Sequence, residues 1–154
     1  MSLLKKILLA VLVVFILIQF IQPSRNKSGQ MLPTDITKVF TVPQNVQGVL
    51  KTSCYDCHSN DTHYPWYSFI QPGAWWMASH IKNGKSNLNF SEFGGYSKRK
   101  QQNKLRSIAK SIEDETMPIG AYTIMHGDAK LSKDKKGLIV DWVNRTRDSL
   151  SKTN

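Results

Sequence analysis

Both cysteines of this chain lie in one short segment, SCYDCH, which begins at Ser53. Cys54 and Cys57 are separated by two residues, and His58 follows the second cysteine directly. Three chemistries use a Cys-x-x-Cys pair: a redox disulfide, part of a zinc site, and the covalent attachment of haem. Each makes a different demand on the rest of the sequence.

The first two chemistries fit the surrounding sequence poorly. A redox-active pair usually follows a strand and opens a helix, whose N-terminus lowers the pKa of the attacking thiol. Here a predicted helix precedes the motif, and a disulfide leaves the adjacent histidine without a role. A closed zinc site needs four ligands. Cys54, Cys57 and two of the four histidines could supply them, but the usual finger spacing is absent.

Haem attachment uses every residue of the motif. Two thiols spaced on one turn can add to the two vinyl groups of a single porphyrin, and the next histidine then ligates the iron. The sequence therefore predicts one covalent haem c, with Cys54 and Cys57 as the points of attachment and His58 as an iron ligand.

Met117 is the predicted second ligand of the iron. It lies in Glu115-Thr116-Met117-Pro118, where the proline ends a helix and stiffens the loop. Methionine with histidine raises the reduction potential and suits electron transfer. His80 is the rival, since it could complete a bis-histidine site or hold a distal water. The remaining histidines and methionines are weaker candidates: His63, His126, Met77 and Met125.

The N-terminus predicts an export segment. Lys5 and Lys6 precede an apolar run from Ile7 to Ile18, and no small-x-small cleavage site follows. We therefore expect an uncleaved signal anchor over residues 1–22, although the run is short beside the ~20 residues that usually span a bilayer. The two lysines would stay in the cytoplasm and place the rest of the chain outside.

Beyond the anchor, the pattern predicts a polar tether over residues 23–41 and one all-α domain over residues 42–150. The tether should behave as a flexible coil whose last part docks on the domain. Proline, N-cap residues and helical spacing predict four helices, with a loop from Gly84 to Gly95. These helices cover Pro43–Ser53, Pro72–Asn83 and Lys98–Glu115, and a last one has Ser132 as its N-cap and Leu138, Ile139, Trp142 and Val143 facing inward.

So small a helical domain has a thin core and usually needs a cofactor or cross-links. The tryptophans and several tyrosines exceed what four short helices need for packing, so we expect them to wall a haem. The chain carries a net charge of +10, with basic residues clustered between Lys98 and Lys110. No nucleic-acid motif accompanies them, and an exported domain would rarely meet nucleic acid, so a solvated face or an acidic partner is expected.

The segment SCYDCHSNDTHYPWYSFIQPGAWWMASHIKNGKSNLNFSEFGGY, together with the later MPIGAYTIMHGDAKLS, resembles the small bacterial haem-binding domain family. The resemblance covers about residues 40 to 145. It implies a cytochrome-c-like all-α fold around one covalent haem. By motif, it carries over Cys54 and Cys57 as attachment points, His58 as the proximal ligand and Met117 as the distal one.

Together these features predict a monohaem c-type cytochrome of a bacterial inner membrane. Its domain would face the periplasm and pass single electrons to redox partner proteins at the membrane. The alternative is a reactive haem, peroxidase-like or a gas or redox sensor, with His80 or Tyr122 above an open iron. A third hypothesis is a haem-stabilised module that binds another membrane protein through its basic helix.

Overall fold

Helices carry the regular structure of residues 2–152, which are the residues that the computed structural model describes. Within that range, an isolated bridge between Lys27 and Asp61 is the one pairing of extended backbone. The predicted all-α class is confirmed. The α-helices are α1 (Leu3–Ile18), α2 (Ile36–Val39), α3 (Gln44–Ser53), α4 (Tyr55–His58), α5 (Gly73–Asn87), α6 (Lys98–Glu113), α7 (Gly120–Met125) and α8 (Lys133–Lys152). Short 3-10 turns cover Trp66–Phe69, Phe90–Gly95 and Gly127–Ala129.

The main core lies where α3, α6 and α8 meet the Phe90–Gly95 turn. Leu105, Ile139 and Val143 have no exposed surface, and the Trp142 indole N–H donates to the Thr41 carbonyl at 3.2 Å. The predicted N-cap of α8 is confirmed, since the Ser132 hydroxyl accepts from the Lys135 amide at 3.3 Å. Leu138, which the helical pattern predicts to face inward, is instead 37% exposed.

The stretch from Gly84 to Gly95 is not the loop that its composition predicts. Helix α5 continues through Gly84 to Asn87, and the Phe90–Gly95 turn follows. Phe90 and Phe93 on this turn are fully buried in the core. Gly84 therefore does not end the helix, because glycine inside a helix costs only about 1 kcal/mol and packing outweighs that cost.

The predicted tether, residues 23–41, lies against the domain. The Ser28 amide donates to the Asn60 carbonyl at 3.0 Å, and the Thr62 amide donates to the Asn26 carbonyl at 3.0 Å. Further along, Ile36 on α2 is fully buried in the core. The part predicted to be a flexible coil is thus hydrogen-bonded to the loop that follows the CxxCH motif.

Helix α1 stands apart from this packing. None of its residues is buried, and its apolar side chains are exposed along its length. Among the residues described, no helix combines the length and the apolar character needed to cross a membrane.

Candidate functional site

A cavity of about 410 Å³ opens beside the CxxCH turn. Cys54, Cys57, His58, His80 and Met117 all line it, so the structure brings every predicted site residue to one place. Helices α5 and α6 and the loop before α7 supply the other walls. Apolar lining comes from Leu88, Phe90, Ile108, Ile112, Pro118 and Ile119, and polar lining from Asn83, Asn87, Lys104, Ser107 and Ser111.

A single turn of backbone holds the two thiols and the imidazole together. Cys54 ends α3 and caps α4. The amides of Cys57 and His58 donate to the Cys54 carbonyl at 3.2 and 3.0 Å. This turn presents all three side chains to the same cavity, as attachment of one planar cofactor requires.

The His58 ring is fixed in one tautomer by its hydrogen bonds. Its Nδ1 lies 3.1 Å from the Gly84 carbonyl and 3.0 Å from the Leu88 carbonyl. Because both partners only accept, Nδ1 carries the proton and Nε2 keeps its lone pair. Burial lowers the pKa of His58, against the two carbonyl bonds that raise it. The imidazole is therefore neutral and oriented, which is the state that binds a metal.

Gly84 is a site residue that the sequence analysis missed. A Cβ atom at this position would lie 2.5 Å from the Cys57 carbonyl oxygen and 3.2 Å from the Cys57 Cβ. The same residue supplies one of the carbonyls that hold His58. Helix α5 can approach the CxxCH turn only because residue 84 has no side chain.

The thiols are free and have high pKa values. Burial, followed by the neighbouring Cys57, raises the pKa of Cys54 to about 12. Burial, followed by Asp56, raises the pKa of Cys57 to about 11. Redox-active pairs have the opposite property, a thiol pKa lowered toward neutrality.

Residues 2–152 contain no group of three or more His, Cys, Asp or Glu side chains able to hold a metal ion.

Met117 reaches the cavity from the end of α6. Glu115 adopts a left-handed conformation with φ of 57°, and the Thr116 amide donates to the Ser111 carbonyl at 3.0 Å. The Met117 amide donates to the same carbonyl at 3.2 Å. These bonds close the helix as a Schellman-type turn, which fixes the backbone that carries Met117. Its side chain is 41% exposed on the cavity wall.

One buried polar atom in this region lacks a partner. Among the residues described, the Ser53 hydroxyl is the buried side-chain polar atom that makes no hydrogen bond. It lines the cavity immediately before Cys54. Buried polar atoms are normally hydrogen-bonded, and a water or a bound molecule in the cavity can satisfy this hydroxyl. The free thiols, the oriented imidazole and the apolar wall fit haem.

Residues 13–145 match the family model of the haem-binding domain. The chain belongs to the haem-binding domain family. The match includes the CxxCH turn, the whole cavity and most of the core, and it supports haem as the cofactor. No curated protein and no solved structure matches the chain significantly.

His80 is a second available ligand in this haem-binding domain. Its Nδ1 donates to the Trp76 carbonyl at 2.9 Å, and its ring lies 4.1 Å from the Trp76 ring. As in His58, the proton on Nδ1 leaves a lone pair on Nε2. The cavity thus contains the three residues that the sequence predicts as candidate iron ligands: His58, His80 and Met117.

Asp56, the second variable residue of CYDCH, ties the cavity walls together. Its carboxylate accepts from the Tyr122 hydroxyl at 2.7 Å and from the His63 amide at 2.9 Å. Burial, followed by the hydrogen bond to Asp56, raises the pKa of Tyr122. His126 does not line the cavity: its Nδ1 donates to the Tyr122 carbonyl at 3.1 Å, and its Nε2 accepts from Tyr67 at 3.1 Å.

The tryptophans do not wall the cavity as predicted. Trp66, Trp75 and Trp76 are exposed, and Trp142 is buried in the core on α8. Phe90 and Tyr122 are the aromatic residues of the cavity wall. The prediction failed because hydrophobicity alone does not distinguish a side chain that covers a cofactor from one that faces outward.

Proposed function

We propose that the cavity holds one haem c and that the protein carries single electrons. Cys54 and Cys57 would attach the haem covalently through their thiols, and His58 and Met117 would supply the two protein ligands of its iron. The observation that carries this proposal is the shared cavity, with His58 fixed so that Nε2 holds the lone pair. When bound, haem iron with this ligand pair supplies a one-electron couple of raised potential.

The protein contributes rigidity and a partly dry environment. The two carbonyl bonds to His58 keep the imidazole in place, and the end of α6 restrains Met117. A ligand set that is held before and after electron transfer requires little rearrangement. Lys104 is the cationic side chain on the cavity wall and is suited to the carboxylates of haem.

We also propose that α1 inserts into the bacterial inner membrane, with the domain on the periplasmic side and near its redox partner proteins. The support is the exposed apolar surface of α1 and the lysines at positions 5 and 6. A helix of 16 residues is about 24 Å long, against a hydrocarbon core of about 30 Å. The apolar surface continues through Phe20 and Ile21, and a bilayer can thin locally around a short segment.

The ligand assignment is tested by replacing each rival in the full chain, exported in a host that attaches haem c. Met117→Ala should remove the weak near-infrared methionine–iron band of the ferric protein and lower its potential markedly. His80→Ala is the matched control and should keep both. If His80→Ala changes the spectrum and Met117→Ala does not, the iron has two histidine ligands.

Covalent attachment has a separate readout. Wild-type protein should retain haem after denaturing electrophoresis, and the double variant Cys54→Ser, Cys57→Ser should lose it. A chain that carries no haem, in a host that loads a control cytochrome, would overturn the proposal.

A reactive haem is the second candidate function. It is favoured by the exposure of Met117 and by His80 and Tyr122 on the same wall. If Met117→Ala leaves the potential almost unchanged, and peroxide turnover rises, this candidate replaces the electron carrier.

A further inference from the structure

Five large apolar side chains are exposed within one short part of the chain. Trp66 is 74% exposed, Phe69 55%, Ile70 43%, Trp75 38% and Trp76 45%. They come from the Trp66–Phe69 turn, from Ile70 directly after it, and from the start of α5. None belongs to the core or lines the haem cavity. Single exposed apolar residues are ordinary, but a concentration of aromatic ones marks a surface that binds something apolar.

The end of α1 is fastened to this same face. The Gln71 amide donates to the Gln19 side chain at 2.9 Å. The side-chain amide of Gln71 and the indole N–H of Trp75 both donate to the Ile21 carbonyl, at 2.7 and 3.0 Å. The aromatic face therefore begins where the exposed apolar helix ends, and hydrogen bonds fix one relative to the other.

The composition of the face suits the boundary between lipid and water. Tryptophan concentrates at that boundary because its ring is apolar and its N–H is polar. Arg25 adds a cation: its guanidinium lies 3.9 Å from the centre of the Phe69 ring and 4.4 Å from that of Tyr64. An arginine at this level can meet lipid phosphates while its stem lies on apolar surface.

We propose that the face formed by Trp66, Phe69, Ile70, Trp75 and Trp76 seats in the headgroup region of the bilayer that α1 enters. This inference rests on the proposed insertion of α1. The lipid surface is the occupant because the face continues the apolar surface of α1. Trp76 packs on His80, which lines the haem cavity. Seating therefore holds that wall of the cavity close to the membrane, where donors and acceptors dissolved in the bilayer can approach it.

The experiment uses the ferric full chain labelled with 5-fluorotryptophan, in nanodiscs of phosphatidylcholine and phosphatidylglycerol. Fluorine resonances of the four tryptophans are assigned by single Trp→Phe variants. A Phe15→Trp variant adds a reporter within α1. Each resonance is followed with a nitroxide-labelled lipid and, separately, with a water-soluble gadolinium chelate. Trp142, buried in the core, is the internal control.

Seating predicts that the lipid nitroxide removes the Trp66 and Trp75 signals, leaves Trp142 sharp, and protects Trp66 from the aqueous chelate. The inference is overturned if the chelate removes the Trp66 signal while the lipid nitroxide removes only that of residue 15. In that outcome α1 is inserted and the face is not seated. If residue 15 is also untouched by the lipid nitroxide, the proposed insertion of α1 fails as well.

The double variant Trp66→Ser, Phe69→Ser supplies a second test. Removing two apolar contacts should weaken the binding of the face to the lipid headgroup region. Trp75 would then be accessible to the aqueous chelate, which should remove its signal. An unchanged Trp75 response would mean that these side chains do not hold the domain on the lipid.

Discussion

At Gly84, the absence of a side chain lets helix α5 approach the CxxCH turn. A Cβ at this position would lie 2.5 Å from the Cys57 carbonyl oxygen. Gly84→Ala should therefore push α5 from the CxxCH turn and lengthen the bond from His58 to the residue 84 carbonyl. We expect a loss of about 1–3 kcal/mol in unfolding free energy, the usual cost of overpacking. Guanidinium titration followed by far-UV circular dichroism measures it.

Gly48 is the matched control, since it also lies inside a helix, α3, but a Cβ atom there would find open space within 4 Å. Gly48→Ala should stabilise the protein by about 0.5–1 kcal/mol through reduced backbone freedom. If Gly84→Ala stabilises the protein to the same extent, the contact with Cys57 does not constrain the site.

Lys104 allows an electrostatic test at the same scale. It is half-buried on the cavity wall, where a positive charge disfavours the more positive ferric iron. Lys104→Gln should therefore lower the reduction potential, by roughly tens of millivolts for a charge partly screened by water. Arg106→Gln, which removes an exposed charge from the same helix outside the cavity, should have little effect. Equal shifts in a redox titration would show that only net charge matters.

At the scale of elements, the hydrogen bond from Tyr122 to Asp56 connects α7 to the CxxCH turn. Tyr122→Phe leaves the ring in place and removes a bond to a carboxylate, which costs about 1.5–3 kcal/mol when such a bond is buried. Because Met117 lies just before α7, the proposed ligation of the iron by Met117 should also weaken. Imidazole should then displace the methionine at lower concentration, as followed by loss of the near-infrared band.

Tyr67→Phe is the control for this prediction, because Tyr67 bonds to His126 and not to the CxxCH turn. It should leave the imidazole titration close to that of the wild type. If the two variants behave alike, α7 is not restrained through Asp56.

The helices that pack on the core were predictable, and the elements without a periodic pattern were not. Leu105, Ile108 and Ile112 repeat at helical spacing, so the sequence predicts α6 to within two residues of its end. Phe90 and Phe93 lie in a short polar stretch, which carries no such repeat. Gly84 resembles a helix stop because a sequence does not reveal which neighbour approaches a glycine.

At the scale of the whole molecule, the candidate site residues could be named from the sequence because CxxCH carries its chemistry in the local order of residues, and their roles toward haem stay a prediction. The sequence places Met117 at this site only through the Met117-Pro118 pair. In the structure, Met117 and Pro118 line the same cavity as His58. The tryptophans were misassigned to the haem because their partner is decided by tertiary placement. The docking of residues 23–34 was also missed, since polar sequence without a pattern resembles coil even when its backbone is paired.

The Asn26 side chain fastens the docked segment, residues 23–34, to the domain. It therefore helps to fix the distance between α1 and the haem-binding domain. Its side-chain amide donates to the Ser59 carbonyl and the Thr62 hydroxyl, both at 2.8 Å, and its oxygen accepts from Lys85 at 2.6 Å. Asn26→Ala removes these bonds, each worth about 1 kcal/mol. The segment should then open more often, and the Thr62 amide, which donates to the residue 26 carbonyl, should exchange with deuterium roughly tenfold faster or more.

Gln30→Ala is the control, because this side chain is exposed on the same segment, and its exchange rates should match those of the wild type. A docked segment keeps the domain at one position beside α1, whereas a free coil of this length would let it move through about 25 Å. Unchanged exchange at Thr62 in Asn26→Ala would mean that the backbone pairing alone fixes the segment. Faster exchange would identify Asn26 as the residue that sets where the haem-binding domain stands relative to α1.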